Sequence, residues 1–207
     1  MPRPLLVLAT GNRKKGIELA ELFGPVGLEV RTLADFDSVA EVVEDGQSFA
    51  ANAALKAIGQ AAHLQLWALG EDSGLAVDAL DGAPGIYSAR YAGPDADDES
   101  NNRKLLEMLG DVPPRKRAAH YVCHMTLCDP SGTVRAESEA FCRGRIGFEP
   151  KGAHGFGYDP LFEVIEYHRT FGQLGPQSKA MLSHRARAAR RLLPRLVELI
   201  DHGEWSS

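Results

Sequence analysis

Two acidic pairs, Glu44-Asp45 and Glu71-Asp72, are the residues of this chain best suited to hold a divalent cation. Magnesium takes oxygen ligands, usually one or two carboxylates, and completes its octahedron with water and phosphate oxygens. A carboxylate beside such a metal can also orient and deprotonate a water. Asp72 suits that role, because the apolar segment Leu66 to Leu69 leads towards it and Ser73-Gly74 follows as a predicted turn. A second group, Thr10-Gly11-Asn12-Arg13-Lys14-Lys15, joins a glycine and three cations to a predicted helix start, whose unpaired amides and dipole attract phosphate. The Gly-x4-Gly-Lys-Ser/Thr signature of a Walker loop is absent, and Gly152, Gly155 and Gly157 do not follow a strand as a dinucleotide fingerprint requires. A third group comes late: Phe156-Gly157-Tyr158-Asp159-Pro160, then Ser178-Lys179 and Ser183-His184-Arg185. Aromatic faces, a carboxylate and several donors suit a flat heterocycle, and lysine and arginine suit its phosphates.

Those groups need elements to position them. The apolar run Leu5 to Ala9 predicts a strand, and Ile17, Leu19, Ala20, Leu22 and Phe23 recur at helical spacing behind the Thr10 to Lys15 turn. A short strand near Leu28 to Thr32 and an acidic loop from Asp35 to Gly46 follow. Ser48 is placed to cap an alanine-rich helix, Phe49 to His63. Gly70 to Gly74 reads as a turn, and Leu75 to Leu80 as a strand ending at Asp81-Gly82. Asp98 to Leu109 is a helix closed by Gly110, and Ala118 to Leu127 with Thr133 to Phe141 form a hairpin around Asp129-Pro130-Ser131-Gly132. Ile146 to Gly175 reads as a functional loop region, and Ser183 caps a last helix in which Pro194 introduces a kink. His120, Cys123, His124 and Cys128 have the composition of a zinc set. On a strand, however, Cys123 faces away from the other three, so they are read as strand residues.

Composition narrows the classes further. A chain of 207 residues, 44% hydrophobic and 25% charged, is long enough to bury roughly 70% of its unfolded surface without staples, and one domain over 1–207 is expected. Three cysteines without a Cys-x-x-Cys pair point to a reducing compartment, the cytoplasm. Leu5 to Ala9 is too short for a membrane span or a signal-peptide core, so neither membrane nor secretion is expected. A net charge of −5 argues against a nucleic-acid coat held by counterion release, while the local clusters of cations still admit a small anion.

Taken together, the motifs resemble the inosine/xanthosine triphosphate pyrophosphatase family, also called the Ham1/RdgB family. Thr10-Gly11-Asn12-x-x-Lys15 is similar to its opening phosphate motif. Glu44-x-Gly46-x-Ser48-Phe49-x-x-Asn52-Ala53-x-x-Lys56-Ala57 is similar to its second block. Glu71 to Leu75 with Gly82 to Tyr91, Gly155 to Pro160, and Ser183-His184-Arg185 complete the series in the family's order. The resemblance implies an α/β fold: an elongated central mixed sheet flanked by helices, with two lobes and a nucleotide cleft between them. It also implies a homodimer and Mg2+-dependent hydrolysis of ITP, dITP and XTP to the monophosphate and pyrophosphate.

By motif position Asp72 would be general base and metal contact, with Glu44 as a further metal ligand. Thr10, Gly11, Asn12, Arg13, Lys14, Lys15, Ser73 and Lys179 would hold phosphates and sugar. Lys15 and Lys56 would neutralise the leaving group. Phe156, Gly157, Tyr158 and Asp159 with His184 and Arg185 would read the base, His184 and Arg185 donating to its six-carbonyl. Two positions depart from the family: Ala51 where many members have glutamate, and Gly172-Gln173-Leu174 for a usual Ala-Glu-Leu. The competing expectations are a Maf-type pyrophosphatase of different base preference and a nucleotide-binding module without turnover.

Overall fold

The structure is a computed structural model and describes residues 3–205. Seven strands form one mixed sheet in the order β2-β1-β3-β4-β5-β6-β7: β1 Leu5–Leu8, β2 Glu29–Thr32, β3 Ala68–Val77, β4 Ala118–Cys128, β5 Val134–Ile146, β6 Phe162–Val164 and β7 Arg169–Thr170. Five helices accompany it: α1 Arg13–Phe23, α2 Phe49–Leu64, α3 Asp98–Leu109, α4 Phe171–Leu182 and α5 His184–Asp201. The α/β fold with a mixed sheet is the one expected. No helix among the described residues is long and apolar enough to cross a membrane.

The chain divides into two compact units. The first comprises the chain up to Asp72, Cys123–Ala140 and the chain from Arg185 onward. In it β1 pairs parallel with β2 (Leu5 opposite Glu29) and with β3 (Val7 opposite Ala68). Parallel strands covered on both faces read as unbroken apolar runs, and β1 shows why. Leu6 and Leu8 point to the side where Leu19 and Phe23 of α1 and Ala188, Leu192 and Leu196 of α5 pack, and Val7 points to Ala57 and Ala61 of α2. Ser48 caps α2 by accepting from the Ala51 amide, as its position predicts. Ala51 is therefore the third helical residue, where a glutamate would complete a capping box.

β3 differs from the expected turn at Gly70 to Gly74: the strand runs through all five residues. Tertiary packing overrides the local turn signal. A Cβ at Gly70 would lie 2.0 Å from the Ala53 carbonyl oxygen and 2.7 Å from the Ala57 nitrogen, so glycine here lets α2 lie directly on the strand. The strand stops at Val77, sooner than expected, and Asp78–Leu80 turn as a 3-10 helix into Asp81 and Gly82. The chain doubles back there, with Val77 N–H donating to the Ala83 carbonyl.

The second unit, Ser73–Val122 with Phe141–His184, packs Leu75, Leu105, Leu109, Tyr121, Phe162 and Phe171 around the antiparallel β5, β6 and β7. Phe162 and Phe171 stack at 5.6 Å. Helix α4 occupies part of the stretch expected to be loop. Gly172, Gly175 and Pro176 hide its propensity, and Gly175 is indeed non-helical (φ 78°). Its start is nonetheless fixed by a capping box between Thr170 and Gln173, so glutamine here performs the reciprocal contact of a glutamate. Gly172 is required by space, since a Cβ there would meet the Lys151 carbonyl oxygen at 2.5 Å. Ser183 lies between α4 and α5 in extended conformation, and α5 contains Pro194 within its span.

Candidate active site

Adjacent residues of a strand face opposite ways, and that alternation gives Glu71 and Asp72 separate surroundings. On one side the Glu71 carboxylate, 1% exposed, is met by Lys15 Nζ at 2.8 Å and by Arg185 Nε and Nη2 at 3.2 and 3.1 Å. The Cys123 thiol donates to it at 3.4 Å, and burial followed by the Glu71 charge pushes that thiol's pKa well up. Arg185 also binds Glu18. Burial alone would depress the guanidinium pKa, but the Glu71 and Glu18 charges outweigh it, so Arg185 stays firmly charged.

On the other side Asp72 faces α2. Lys56 Nζ donates to Asp72 Oδ1 at 3.0 Å and to Glu44 Oε2 at 2.9 Å, and Asn52 Nδ2 donates to Asp72 Oδ2 at 3.3 Å. Asn52 and Lys56 are four residues apart on α2 and so share a helix face. Burial raises the Asp72 pKa, and the Lys56 and Lys15 charges only partly offset this. For Lys56, burial pulls the pKa down, yet Asp72 and Glu44 leave it raised. One ammonium thus sits between the two carboxylates expected to bind metal, in the place a cation would take. Two carboxylates reaching one cation fit the protein share of a magnesium site, whose other ligands are water and phosphate. Glu44 and Asp72 therefore come together as expected. Lys56 joins them to each other, a contact that sequence spacing did not announce.

The turn after β1 is partly filled from within. Asn12 Oδ1 accepts from the amides of Lys14 and Lys15 at 3.0 and 3.1 Å, and Thr10 Oγ1 accepts from the Asn12 amide at 3.1 Å. Two of the helix-start amides expected to meet phosphate are thus already capped. Gly11, Arg13 and Lys14 are exposed, while Lys15 turns inward to Glu71 with its side chain 16% exposed. An ammonium has three N–H groups, so one ion pair does not exhaust it.

In the second unit Asp159, 1% exposed, gathers the residues expected to read a base. Its Oδ2 accepts from the Phe156 amide at 2.9 Å and from Lys179 Nζ at 2.6 Å, and its Oδ1 accepts from the Tyr121 hydroxyl at 3.4 Å. Asp159 thereby anchors the loop of residues expected to read the base. Lys179 Nζ lies 4.1 Å from the Phe156 ring centroid. Tyr158 is buried, with its hydroxyl donating to the Ser88 carbonyl at 2.8 Å, and burial raises its pKa. His184 stacks on Tyr121 at 4.6 Å. Gly157 belongs to the same loop, its carbonyl accepting from Asn102 at 2.9 Å, and Ser73 is a partly buried residue of β3.

Arg185, expected to donate to the base, has donors on two carboxylates of the protein. It lies in the first unit, 1% exposed, with its guanidinium on Glu71 and Glu18, whereas its chain neighbour His184 stacks on Tyr121 in the second. Tyr121, Asn102 and Glu18 went unnoticed because strand and helix residues carry no local mark of such contacts. Only Glu18, three positions after Lys15 on α1, had a readable spacing. Of the cysteine and histidine set, Cys123 meets Glu71, and His124 Nε2 lies 3.3 Å from Glu137 Oε1.

The Ham1 family profile matches residues 6–195. A dITP/XTP pyrophosphatase of Rhodopirellula baltica is 52% identical over 98% of this chain and 97% of its own, and one of Desulforamulus reducens is 47% identical over 96% and 98%. The structure of a HAM1 protein from Coxiella burnetii superposes with a TM-score of 0.85 at 37% identity, covering 94% of this chain and 98% of that one. Sequence and fold agree over nearly the full length, and the chain belongs to the Ham1 family.

Proposed function

We propose that this protein is a magnesium-dependent nucleoside triphosphate pyrophosphatase that hydrolyses dITP, ITP and XTP to the monophosphate and pyrophosphate, keeping deaminated purines out of nucleic acids. The observation that carries this reading is the Glu44-Lys56-Asp72 arrangement, from the loop before α2, from α2 and from β3, two carboxylates joined through one cation. The names of the relatives supply the substrate class.

Glu44 and Asp72 would hold Mg2+, which supplies polarisation of phosphate oxygens and neutralisation of their charge. Asp72 orients the attacking water and takes its proton as oxygen bonds to the α-phosphorus and the bond to pyrophosphate breaks. Lys15, Arg13 and Lys14 meet the negative charge of the leaving pyrophosphate. Glu71 and Arg185 hold Lys15 in place. Phe156 offers the base an aromatic ring, and Lys179 and His184 are donors suited to the six-carbonyl of hypoxanthine and xanthine. Adenine presents an amino donor at that position, and meeting donors with a donor strands buried polar groups at about 1–3 kcal/mol each. The same reading includes a homodimer, which sedimentation at graded concentration tests, and a cytoplasmic location, which three buried free cysteines support.

The deciding assay is pyrophosphate release with magnesium across dITP, ITP, XTP, GTP and ATP. Efficient release from the first three is expected, with Asp72→Asn lower by about 10²–10⁴-fold and still folded. A preference for pyrimidine or methylated nucleotides would favour a Maf-type activity. Tight binding without any release would make the protein a nucleotide-binding module.

A further inference from the structure

Asn52, Lys56 and Gln60 recur every four residues on α2 and so share one face of it. Asn52 and Lys56 reach the carboxylates of the candidate metal site, whereas the hydrogen bonds of Gln60 go elsewhere: its Oε1 accepts from the Ala40 amide at 3.0 Å and its Nε2 donates to the Ala40 carbonyl at 2.8 Å. Ala40 begins a strap, residues 40–46, that lies outside every helix and strand and carries Glu44. Among the described residues no backbone-to-backbone hydrogen bond fastens it. Its attachments come from α2 instead, in the reverse order of the helix. Gln60 holds Ala40, and Val42 follows so close to Gly59 that a Cβ there would lie 2.7 Å from Val42 Cγ2. Glu44 then bonds Lys56, and the Gly46 amide donates to Asn52 Oδ1 at 2.9 Å. Every second residue turns to the helix, which leaves Val43 and Asp45 exposed.

We propose that Gln60 is a positioning residue for Glu44: by gripping both polar groups of Ala40 it sets the register of the strap on α2 and so aims the Glu44 carboxylate at the cation site. The proposal rests on the reading that Glu44 binds Mg2+. Lys56 cannot do this aiming by itself, because its ammonium bonds the same Glu44 and Asp72 oxygens that a divalent cation needs. Gln60 touches neither carboxylate, so its grip persists when the cation changes. A glutamine 3% exposed on a helix that packs on a sheet is unfavourable unless bonded, and here the bonds go to a single residue of the strap. The freedom of the strap is then lost on folding rather than on metal binding. Loss of the grip therefore weakens metal affinity and leaves the chemistry of the loaded site as it was.

The test uses the full chain with Gln60→Met, which keeps the length of the side chain and removes both bonds, and reads Mn2+ binding by EPR, with Mn2+ standing in for Mg2+. Mn2+ affinity is expected to fall about tenfold, the usual effect of losing a residue that supports a metal ligand. Pyrophosphate release from dITP should show the apparent Mg2+ constant raised by a similar factor and kcat at saturating Mg2+ unchanged. In the metal-free protein, hydrogen exchange at the Gly46 amide, which Gln60 does not touch, should quicken because the whole strap loosens. Gly59→Ala works from another contact. Alanine favours a helix over glycine, but its methyl would meet Val42, a stiff β-branched side chain, so Mn2+ affinity should fall although α2 is not weakened. The proposal is overturned if Gln60→Met binds Mn2+ like the wild type, if kcat falls with the Mg2+ constant unmoved, or if Gly46 exchange is unchanged. Where Gln60→Met does not fold, Gly59→Ala decides by the same Mn2+ measurement. Glu44→Gln keeps the two claims apart: should it bind Mn2+ as tightly as the wild type, Glu44 loses its metal role, whereas Gly46 exchange still decides whether Gln60 sets the strap.

Discussion

Arg185 has its donors turned to Glu71 and Glu18 deep in the first unit, so its removal is a matter of stability before it is one of specificity. Taking one partner from a buried ion pair costs roughly 3–5 kcal/mol, because the remaining charge is left uncompensated. Arg185→Ala should therefore show a much lower urea midpoint. The charge-preserving Arg185→Lys should fold and keep the ITP-to-ATP ratio of kcat/KM; a narrowed ratio would return Arg185 to the base. Asp72 offers a second check, through its raised pKa. Since the folded group binds its proton more tightly than the unfolded one, the fold is favoured at low pH. This contribution fades as pH rises from the ordinary aspartate value through the raised one. Carboxyl NMR of the metal-free protein should find the Asp72 midpoint above that of an exposed aspartate. Lys56→Gln should move it higher still, because Lys56 is the largest influence lowering it; an unmoved midpoint would mean that the Lys56 contact does not form in solution. At this scale the sequence shows which groups could act, since Glu44, Lys56 and Asp72 are chemically conspicuous. It does not show that Arg185 and His184, neighbours in the chain, serve different clusters, because that depends on where a helix begins within the fold.

Elements whose burial is uniform are the ones a sequence displays. β1 is apolar on both faces, and α2 combines a serine cap with alanines small enough to lie on a sheet, so both stand where expected. β3 and α4 were obscured by the same cause, glycines kept for close approach in segments whose local signal then reads as turn or loop. Gly70 is the clearest case and gives an expectation of its own. Gly70→Ala must push α2 off the strand, because the added methyl would sit 2.0 Å from a backbone oxygen that cannot swing aside. Overpacking of this kind costs typically about 1–3 kcal/mol. It also pulls Lys56 away from Asp72, so activity should fall with stability. Gly11→Ala, with nothing within 4 Å of the new methyl, is the matching control and should change stability by no more than about 0.5 kcal/mol. Equal stability of the two variants by denaturant titration would remove the packing reason for Gly70.

At the scale of the whole molecule, length and composition correctly indicate enough apolar residues for a core, but not that the core has separate clusters in two units. β3, β4 and β5 each contribute one stretch to each unit: the changes fall after Asp72, Val122 and Ala140. Neither unit can lose its strands without disturbing three strands on which the other depends. The chain should therefore unfold in one transition, the behaviour expected of a single domain. Its cysteines provide reporters on both sides: Cys123 and Cys128 lie in the first unit and Cys142 in the second, all at most 1% exposed. In native buffer a thiol reagent should label none of them over minutes. Across a urea series, brief labelling followed by mass analysis of each cysteine peptide should give one midpoint for all three. A distinctly lower midpoint for Cys142 would show the second unit melting by itself, and the continuous strands would then not couple the two.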